Sequence, residues 1–278
     1  MVKSVGYLGP SGTFSHEAAG LYAEGQSCTL MEFLSIQDVL YAVKDNVVTE
    51  AIVPIENSLE GAVNVTLDVL AREEMLYIKG ELILPVSLNL VVRKGTLPGD
   101  ITTIMSHPQP LGQAREYLNR CYPKAVQVEE NSTSQAAQRV SEGDGTYAAI
   151  TSRMAAKLNG LDLLATDIQD ASNNHTRFVI ISKEYLKRTG FDKTSIVFST
   201  DNKPGSLYRV LDIFSLWDIN MTRIESRPSK NALGQYIFFI DIDGHIEDQD
   251  VFDALTMVRR KTSFYRFIGS YPMYKGKI

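Results

Sequence analysis

The sequence predicts an α/β chain of two lobes, each built from alternating strands and helices, followed by a small separate domain. Three observations carry this. Continuously apolar runs such as Ala51-Ile52-Val53 alternate with stretches whose apolar residues recur at helical spacing, as in parallel sheets covered on both faces. Polar clusters sit where those runs end, the place where open α/β sheets hold ligands. From Lys193 onward the order changes to strand, helix, two strands, helix, strand, a βαββαβ pattern of roughly 80 residues that is ferredoxin-like.

Composition agrees with such a fold. At 278 residues the chain exceeds what one core usually holds. Apolar residues make up 44% and charged residues 22%, ordinary for a soluble globular protein. A net charge of −5, with no basic stripe among aromatics, argues against nucleic acid as a partner. Cys28 and Cys121 lie far apart without metal-type spacing and read as thiols of a reducing compartment. Residues Met1 to Tyr7 lack the apolar core of a signal peptide, and no run reaches transmembrane length. A cytoplasmic protein without membrane contact is expected.

In chain order, Ser4–Leu8 reads as a strand that ends in the breaker-rich turn Gly9-Pro10-Ser11-Gly12. Thr13 then caps a helix, so backbone N–H groups can face an anion. The glycine spacing fits neither a dinucleotide fingerprint nor a P-loop. Thr29–Phe33 is a second strand, and Ile36, Val39, Leu40 and Val43 mark a helix capped by Ser35. Glu50–Ile55 is a buried strand leading into Glu56-Asn57-Ser58. Asn57 or Ser58 can cap the helix Val63–Leu70, leaving the other side chain free. Strands around Leu76–Ile78 and Leu88–Val92 flank Pro85. Ile101–Met105 runs into Ser106-His107, and a helix follows through Leu111, Ala114 and Leu118.

Ala125–Val128 precedes Asn131-Ser132-Thr133-Ser134, where three hydroxyls exceed what a cap needs. Tyr147–Ile150 leads to Thr151-Ser152 and a short helix. The hexapeptide Asn173-Asn174-His175-Thr176-Arg177-Phe178 then precedes the apolar run Val179-Ile180-Ile181. Its guanidinium fork, hydroxyl, amides and aromatic wall suit a small carboxylate, with a plain polar turn as the bland alternative. It is expected at the hinge, in reach of both lobes.

Beyond a charged segment, Lys183 to Lys193, come a strand at Ser195–Ser199 and a helix with Pro204 near its first turn. Strands Ile219–Ser226 and Gly234–Asp243 bracket a turn near Lys230-Asn231. The helix Asp250–Arg260 and the strand Phe264–Tyr271 complete the pattern. The two patterns look self-contained, so a chain ending near Thr189 is expected to fold.

Several blocks appear in a telling order: Gly6-Tyr7-Leu8-Gly9-Pro10 with Gly12-Thr13-Phe14-Ser15, Val53-Pro54-Ile55-Glu56-Asn57-Ser58 with Gly61, Ser106-His107-Pro108-Gln109, and Thr176-Arg177-Phe178 after Asn173-Asn174. Together they resemble the signature blocks of the prephenate dehydratase family. The C-terminal part resembles that family's ACT regulatory domain. Glu225-Ser226-Arg227-Pro228 matches its second phenylalanine-binding motif, while Gly205-Ser206-Leu207-Tyr208 departs from Gly-Ala-Leu-Val at Ser206 and Tyr208.

The resemblance implies a bilobed, periplasmic-binding-protein-like catalytic domain over 1–183. Lobe one would span about 1–75 plus 173–183 and lobe two about 80–170, with a ferredoxin-like ACT domain over 193–278. It further implies decarboxylative dehydration of prephenate to phenylpyruvate in L-phenylalanine biosynthesis, with no cofactor and no metal. Feedback by L-phenylalanine in a homo-oligomer, dimer or tetramer, follows from the same resemblance. Arogenate dehydratase and a non-catalytic amino-acid-sensing protein are the alternatives.

Within this reading Thr176 assists the departing hydroxyl and Arg177 holds the side-chain carboxylate. Glu56 orients neighbouring groups, Asn57 and Ser58 are donors, and Phe178 packs on the ring or hinge. Thr13, Phe14, Ser106, His107, Ser132, Ser134, Ser152 and Asn174 line the substrate. Asn202, Gly205, Ser206, Leu207 and Glu225 to Pro228 receive phenylalanine, Ser226 and Arg227 included.

Overall fold

The computed structural model describes residues 3–171, 173–229 and 235–276. The predicted alternation holds throughout. Strands Lys3–Leu8, Cys28–Phe33, Glu50–Asn57, Tyr77–Pro85, Asn89–Val92, Thr103–Ser106, Val126–Glu129, Tyr147–Thr151 and His175–Ser182 are separated mostly by helices or turns. The turn expected near Lys230-Asn231 lies outside the described residues. Among the described residues no helix is long and apolar enough to cross a membrane.

The chain divides into two compact units, and the cut differs from the lobes expected from sequence. One unit takes Met1–Val39, Asn57–Gly61 and Leu84–Thr176; the other takes Leu40–Glu56, Ala62–Ile83 and Arg177–Ile278.

In the first unit a five-stranded sheet runs in the order Asp162–Ala165, Asn89–Val92, Tyr147–Thr151, Thr103–Ser106, Val126–Glu129. Its last three strands pair in parallel and the first two antiparallel. Period-two alternation sorts the side chains. Leu90, Val92, Ile104, Ala148 and Ile150 pack in one apolar cluster, while Val91, Met105 and Ala149 pack in another with Ala136, Ala137 and Val140. The continuous apolar runs of the sequence are explained by burial on both faces. Ser106 and Thr151 therefore end buried strands. In the same unit Lys3–Leu8 pairs in parallel with Cys28–Phe33.

The helix expected through Leu111, Ala114 and Leu118 is two helices, Pro108–Gln113 and Arg115–Cys121. At the break the backbone N–H of Glu116 bonds the Asp170 carboxylate at 3.2 Å. That diverts it from the ladder between turns.

The second unit contains a four-stranded antiparallel sheet in the order Met221–Pro228, Tyr236–Asp243, Asp192–Ser199, Phe264–Pro272. Helices Ser206–Leu216 and Gln249–Lys261 supply Val210, Phe214, Val251, Leu255 and Val258 to its core with Ile196, Phe198, Ile240 and Ile242. This is the predicted βαββαβ domain. Pro204 precedes its first helix, whose N-cap is Gly205 at φ 76°.

The opposite sheet face meets the strand Tyr77–Pro85. Gly269, at φ 137°, lies so close that a Cβ there would run into the Ile78 carbonyl. The segment 183–193 is thus a boundary in sequence but not in space. A chain ending near Thr189 would strip partners from 50–83, contrary to the expectation that it folds alone.

Candidate active site

Asn57 ends the strand Glu50–Asn57 and is the pivot of the site in the first unit. Its Oδ1 accepts from the backbone N–H groups of Leu59 and Glu60, both at 3.0 Å. Those two donors fix which way the amide faces. Nδ2 therefore donates to Asn174 Oδ1 at 2.8 Å and to Thr176 Oγ1 at 2.9 Å. Asn57 does not cap the next helix, which starts after Val63 without a side-chain cap.

Thr176 is only 9% exposed and Asn174 3%. Because the Thr176 oxygen accepts from an amide, its own proton is left for another acceptor. Asn174 Nδ2 donates onward to Gln113 Oε1 at 3.2 Å. Gln113 was not singled out from sequence: one amide at a helix end carries no signal until its partner, 61 residues away, is known.

Other predicted residues have local duties. Ser58 Oγ donates to the Asn173 carbonyl at 2.8 Å and accepts from His175 N–H at 2.9 Å, stapling the turn before Thr176. Thr13 caps its helix and donates to the Leu8 carbonyl. Ser106 donates to the Ile150 carbonyl, and His107 and Ser132 cap the helices that follow them. Phe14 packs on the apolar cluster around Leu88 and Ile104. For Thr13, Ser58 and Ser106 the hydroxyl expected to bind substrate is already engaged by backbone.

Gly12 is where the first turn meets the later helix starts. Ser152 Oγ donates to the Gly12 carbonyl at 2.7 Å and accepts from Ala155 N–H. A Cβ on Gly12, at φ 91°, would come within 3.1 Å of Ser134 Oγ and Ala155. Ser134 Oγ and Thr151 Oγ1 are buried without a hydrogen-bond partner. Beside this turn His16 stacks on Tyr7 with ring centroids 4.9 Å apart, and His16 Nδ1 accepts from Gly12 N–H. Desolvation lowers the His16 pKa, so the ring stays neutral at pH 7 and its other nitrogen carries the proton.

Arg177 and Glu56 belong to the second unit, and there the expectation fails. The Arg177 guanidinium donates to Glu81 at 2.7 Å, to Asp241 at 2.6 Å and to the Tyr271 hydroxyl at 2.9 Å. Its side chain is 11% exposed, and those of Glu81 and Asp241 are 2% and 4% exposed. A fork filled by two buried carboxylates cannot clamp a third, so Arg177 is not the substrate clamp. Glu56 faces Arg223 at 3.1 Å and Arg177 at 3.9 Å. Lys193 bonds Glu81 at 3.0 Å. Three carboxylates and three cations thus balance in one network. Phe178 is buried in the apolar interior, 1% exposed.

Burial raises the Asp241 pKa, but Arg177 and Arg223 outweigh it and leave the carboxyl below the ordinary 3.8. A depressed folded-state pKa contributes stability that is complete above the unfolded value and lost as pH falls through the folded one. Denaturant midpoints should therefore hold this group's full contribution, without change, down to about pH 5 and fall below about pH 4. The fall should be shallower for Asp241→Asn. Parallel curves for the two proteins would remove Asp241 from the acid response.

The family model for prephenate dehydratase matches residues 5–185, and that for the ACT domain residues 194–256. A bifunctional chorismate mutase/prephenate dehydratase from Aquifex aeolicus is 40% identical over 96% of this chain and 73% of its own. The chain belongs to the prephenate dehydratase family. An Arthrobacter aurescens prephenate dehydratase, solved in complex with L-Phe, is 38% identical with a TM-score of 0.87, covering 97% of this chain and 89% of that one. GqqA, described as a quorum quenching acylase, has a TM-score of 0.88 at 29% identity, over 98% and 99% of the two chains.

In the ACT domain of this family member, Gly205 caps the helix Ser206–Leu216 and Ser206 Oγ accepts from Arg209 at 3.2 Å. Asn202, Ser226 and Pro228 are exposed, while Leu207 and Glu225 are half-buried. Arg227 donates to the Asn64 carbonyl at 2.6 Å and to Asp68 at 2.7 Å. It borders a cavity of about 390 Å³ with Arg72, Phe239 and Phe264.

Proposed function

We propose that this chain converts prephenate to phenylpyruvate, with Thr176 as the hydrogen-bond donor to the departing hydroxyl. The observation that carries the reading is Asn57 Nδ2 donating to Thr176 Oγ1 at 2.9 Å, which leaves the threonine proton available. Prephenate bears a ring carboxylate and, opposite it, a hydroxyl. When the bond to the carboxylate breaks, its electron pair enters the ring, the C–O bond breaks and the ring becomes aromatic. CO2 departs, and the leaving hydroxide takes up one proton from solvent to become water.

A threonine is too weak an acid to give up its proton outright. Its hydrogen bond to the leaving oxygen strengthens as charge develops there, a contribution of about 10²–10⁴ in rate. The carboxylate that is lost must not be held tightly, since a grip on the ground state would oppose its departure. An acylase reading needs a base beside its nucleophile. Thr176 Oγ1 has an amide donor instead, which suits a hydroxyl that gives a hydrogen bond.

The deciding assay incubates purified protein with prephenate and, separately, with arogenate, and follows phenylpyruvate or phenylalanine. Turnover of prephenate is expected. Absence of both products would end the catalytic reading, and turnover of arogenate alone would move the substrate to its transaminated form.

L-Phenylalanine is the effector in this reading, received at the ACT motifs of paired chains in a cytoplasmic homo-oligomer. The αL Gly205 at a helix start supports a carboxylate there: no side chain caps this end, although Ser206 N–H donates to the Lys203 carbonyl at 3.1 Å. Arg227→Ala should raise the phenylalanine concentration for half-inhibition about tenfold, a coupling loss typical of effector sites, and change turnover far less. An unchanged half-inhibition would take Arg227 out of effector binding.

A further inference from the structure

The strand Met221–Pro228 ends in the second effector motif and begins with a grip on residues beside Asn57 and Thr176. It lies at the edge of the four-stranded sheet, paired with Tyr236–Asp243 and irregular in register between Met221 and Arg223. Burial alternates along it, so Arg223, Glu225 and Arg227 share one face, with Arg223 about 13 Å from Arg227. Arg223 stands opposite Asp241, the carboxylate that holds Arg177 at 2.6 Å. Its Nε lies 3.1 Å from Glu56 Oε2. Glu56 and Arg177 are each one peptide bond away from Asn57 and Thr176, and at both bonds the chain crosses between the two units.

The two guanidinium groups are satisfied to different degrees. That of Arg177 is filled by Glu81, Asp241 and Tyr271. The Arg223 side chain is 8% exposed, yet its Nε and Nη2 are buried without a hydrogen-bond partner among the described residues. Its contact with Glu56 is thus an ion pair that lies out of line with the N–H directions. Buried donors are nearly always paired in native proteins, and a guanidinium facing a carboxylate is best satisfied as a two-point fork. Arg223 therefore has a second, better-bonded arrangement on Glu56, and a displacement of its strand would reach it. An edge strand held by one ladder is the part of this sheet that shifts at least cost.

We infer that Arg223 transmits the effector signal. Phenylalanine at the motif shifts the edge strand, the fork closes on Glu56, and the neighbouring Asn57 is drawn out of line with Thr176. Without effector the fork stays open and Asn57 Nδ2 remains 2.9 Å from Thr176 Oγ1. Such a contact is a two-state element that both sites bias, as coupling between them requires. The inference rests on phenylalanine being the effector and prephenate the substrate.

Arg223→Met in the full chain tests it. Methionine keeps an apolar stem of similar reach and removes the guanidinium. The Glu56 side chain, 41% exposed, retains water as a partner, and Asp241 retains Arg177. Prephenate turnover without effector should stay within about threefold of wild type, and so should the calorimetric Kd for phenylalanine. The factor by which saturating phenylalanine lowers kcat/KM should shrink at least about fivefold, the low end of usual coupling factors. Arg227→Ala should instead lose affinity. Arg223→Lys keeps the charge without the fork and should also lose inhibition. If the methionine variant does not fold, the lysine variant decides in the same way. In a Glu56→Gln background, Arg223→Met should change the inhibition factor no further, because the two residues act as one unit.

Wild-type inhibition in both Arg223 variants would overturn the inference. Loss of phenylalanine binding together with inhibition would also overturn it, by placing Arg223 in the effector site itself. A tenfold or greater fall in uninhibited turnover would do the same, by making Arg223 a requirement of the chemistry. A wild-type protein that turns over prephenate and ignores phenylalanine refutes the effector reading, and one that ignores prephenate refutes the proposed reaction.

Discussion

Thr176→Val should lower kcat by about 10²-fold or more with a much smaller change in KM. Valine keeps the β-branched shape that suits a strand and removes only the hydroxyl. The loss falls on kcat because the hydroxyl's hydrogen bond is weak to a neutral C–OH and strong to the oxygen that is leaving. Asn57 Nδ2 would also lose one of its two acceptors. Some stability loss should therefore accompany the rate loss, measurable as a lower denaturant midpoint. Thr176→Ser retains the donor and should keep a good part of the rate. A valine variant with near-normal turnover would exclude Thr176 from the chemistry.

Arg177→Met should destabilise the fold by about 3–5 kcal/mol, the usual consequence of removing one partner from a buried ion pair. Glu81 and Asp241 would be left facing each other in the interior without the guanidinium between them. Arg177→Lys should recover little, because one ammonium cannot replace a planar fork that serves Glu81, Asp241 and Tyr271 together. Urea denaturation at pH 7 reads the effect. Were Arg177 a substrate clamp, the variant would keep its stability and raise KM. A loss under about 1 kcal/mol, the range of exposed pairs, would therefore restore the clamp.

Much of the fold was legible because two periods dominate the sequence. Runs such as Val179-Ile180-Ile181, β-branched throughout, favour buried strands, and the C-terminal βαββαβ order appears element for element. The site was legible in location and less so in role. Residues 173–178 look like one polar group in sequence, yet a strand sends successive side chains to opposite faces. Thr176 and Arg177 were bound to part company: one joins the amides of Asn57 and Asn174, the other the carboxylates of Glu81 and Asp241.

Hydroxyls were the harder case. A serine that closes a turn, such as Ser58, and one that binds a ligand have the same neighbours in sequence. Only the geometry of Asn173 and His175 separates them. Gln113 was invisible for a related reason, since its meaning lies wholly in a residue far along the chain.

The segmental make-up of the second unit also governs how the chain is made. Arg177 reaches Asp241 and Tyr271, which follow it by 64 and 94 residues. On a ribosome adding about 5–20 residues per second, Arg177 waits roughly 5–20 s for its last partner. Throughout that interval Glu81 has been synthesised and the sheet that will cover it has not. Nascent chains halted before residue 241 should therefore be cut readily by protease in the 40–83 stretch and recruit chaperones, whereas released full-length chains resist.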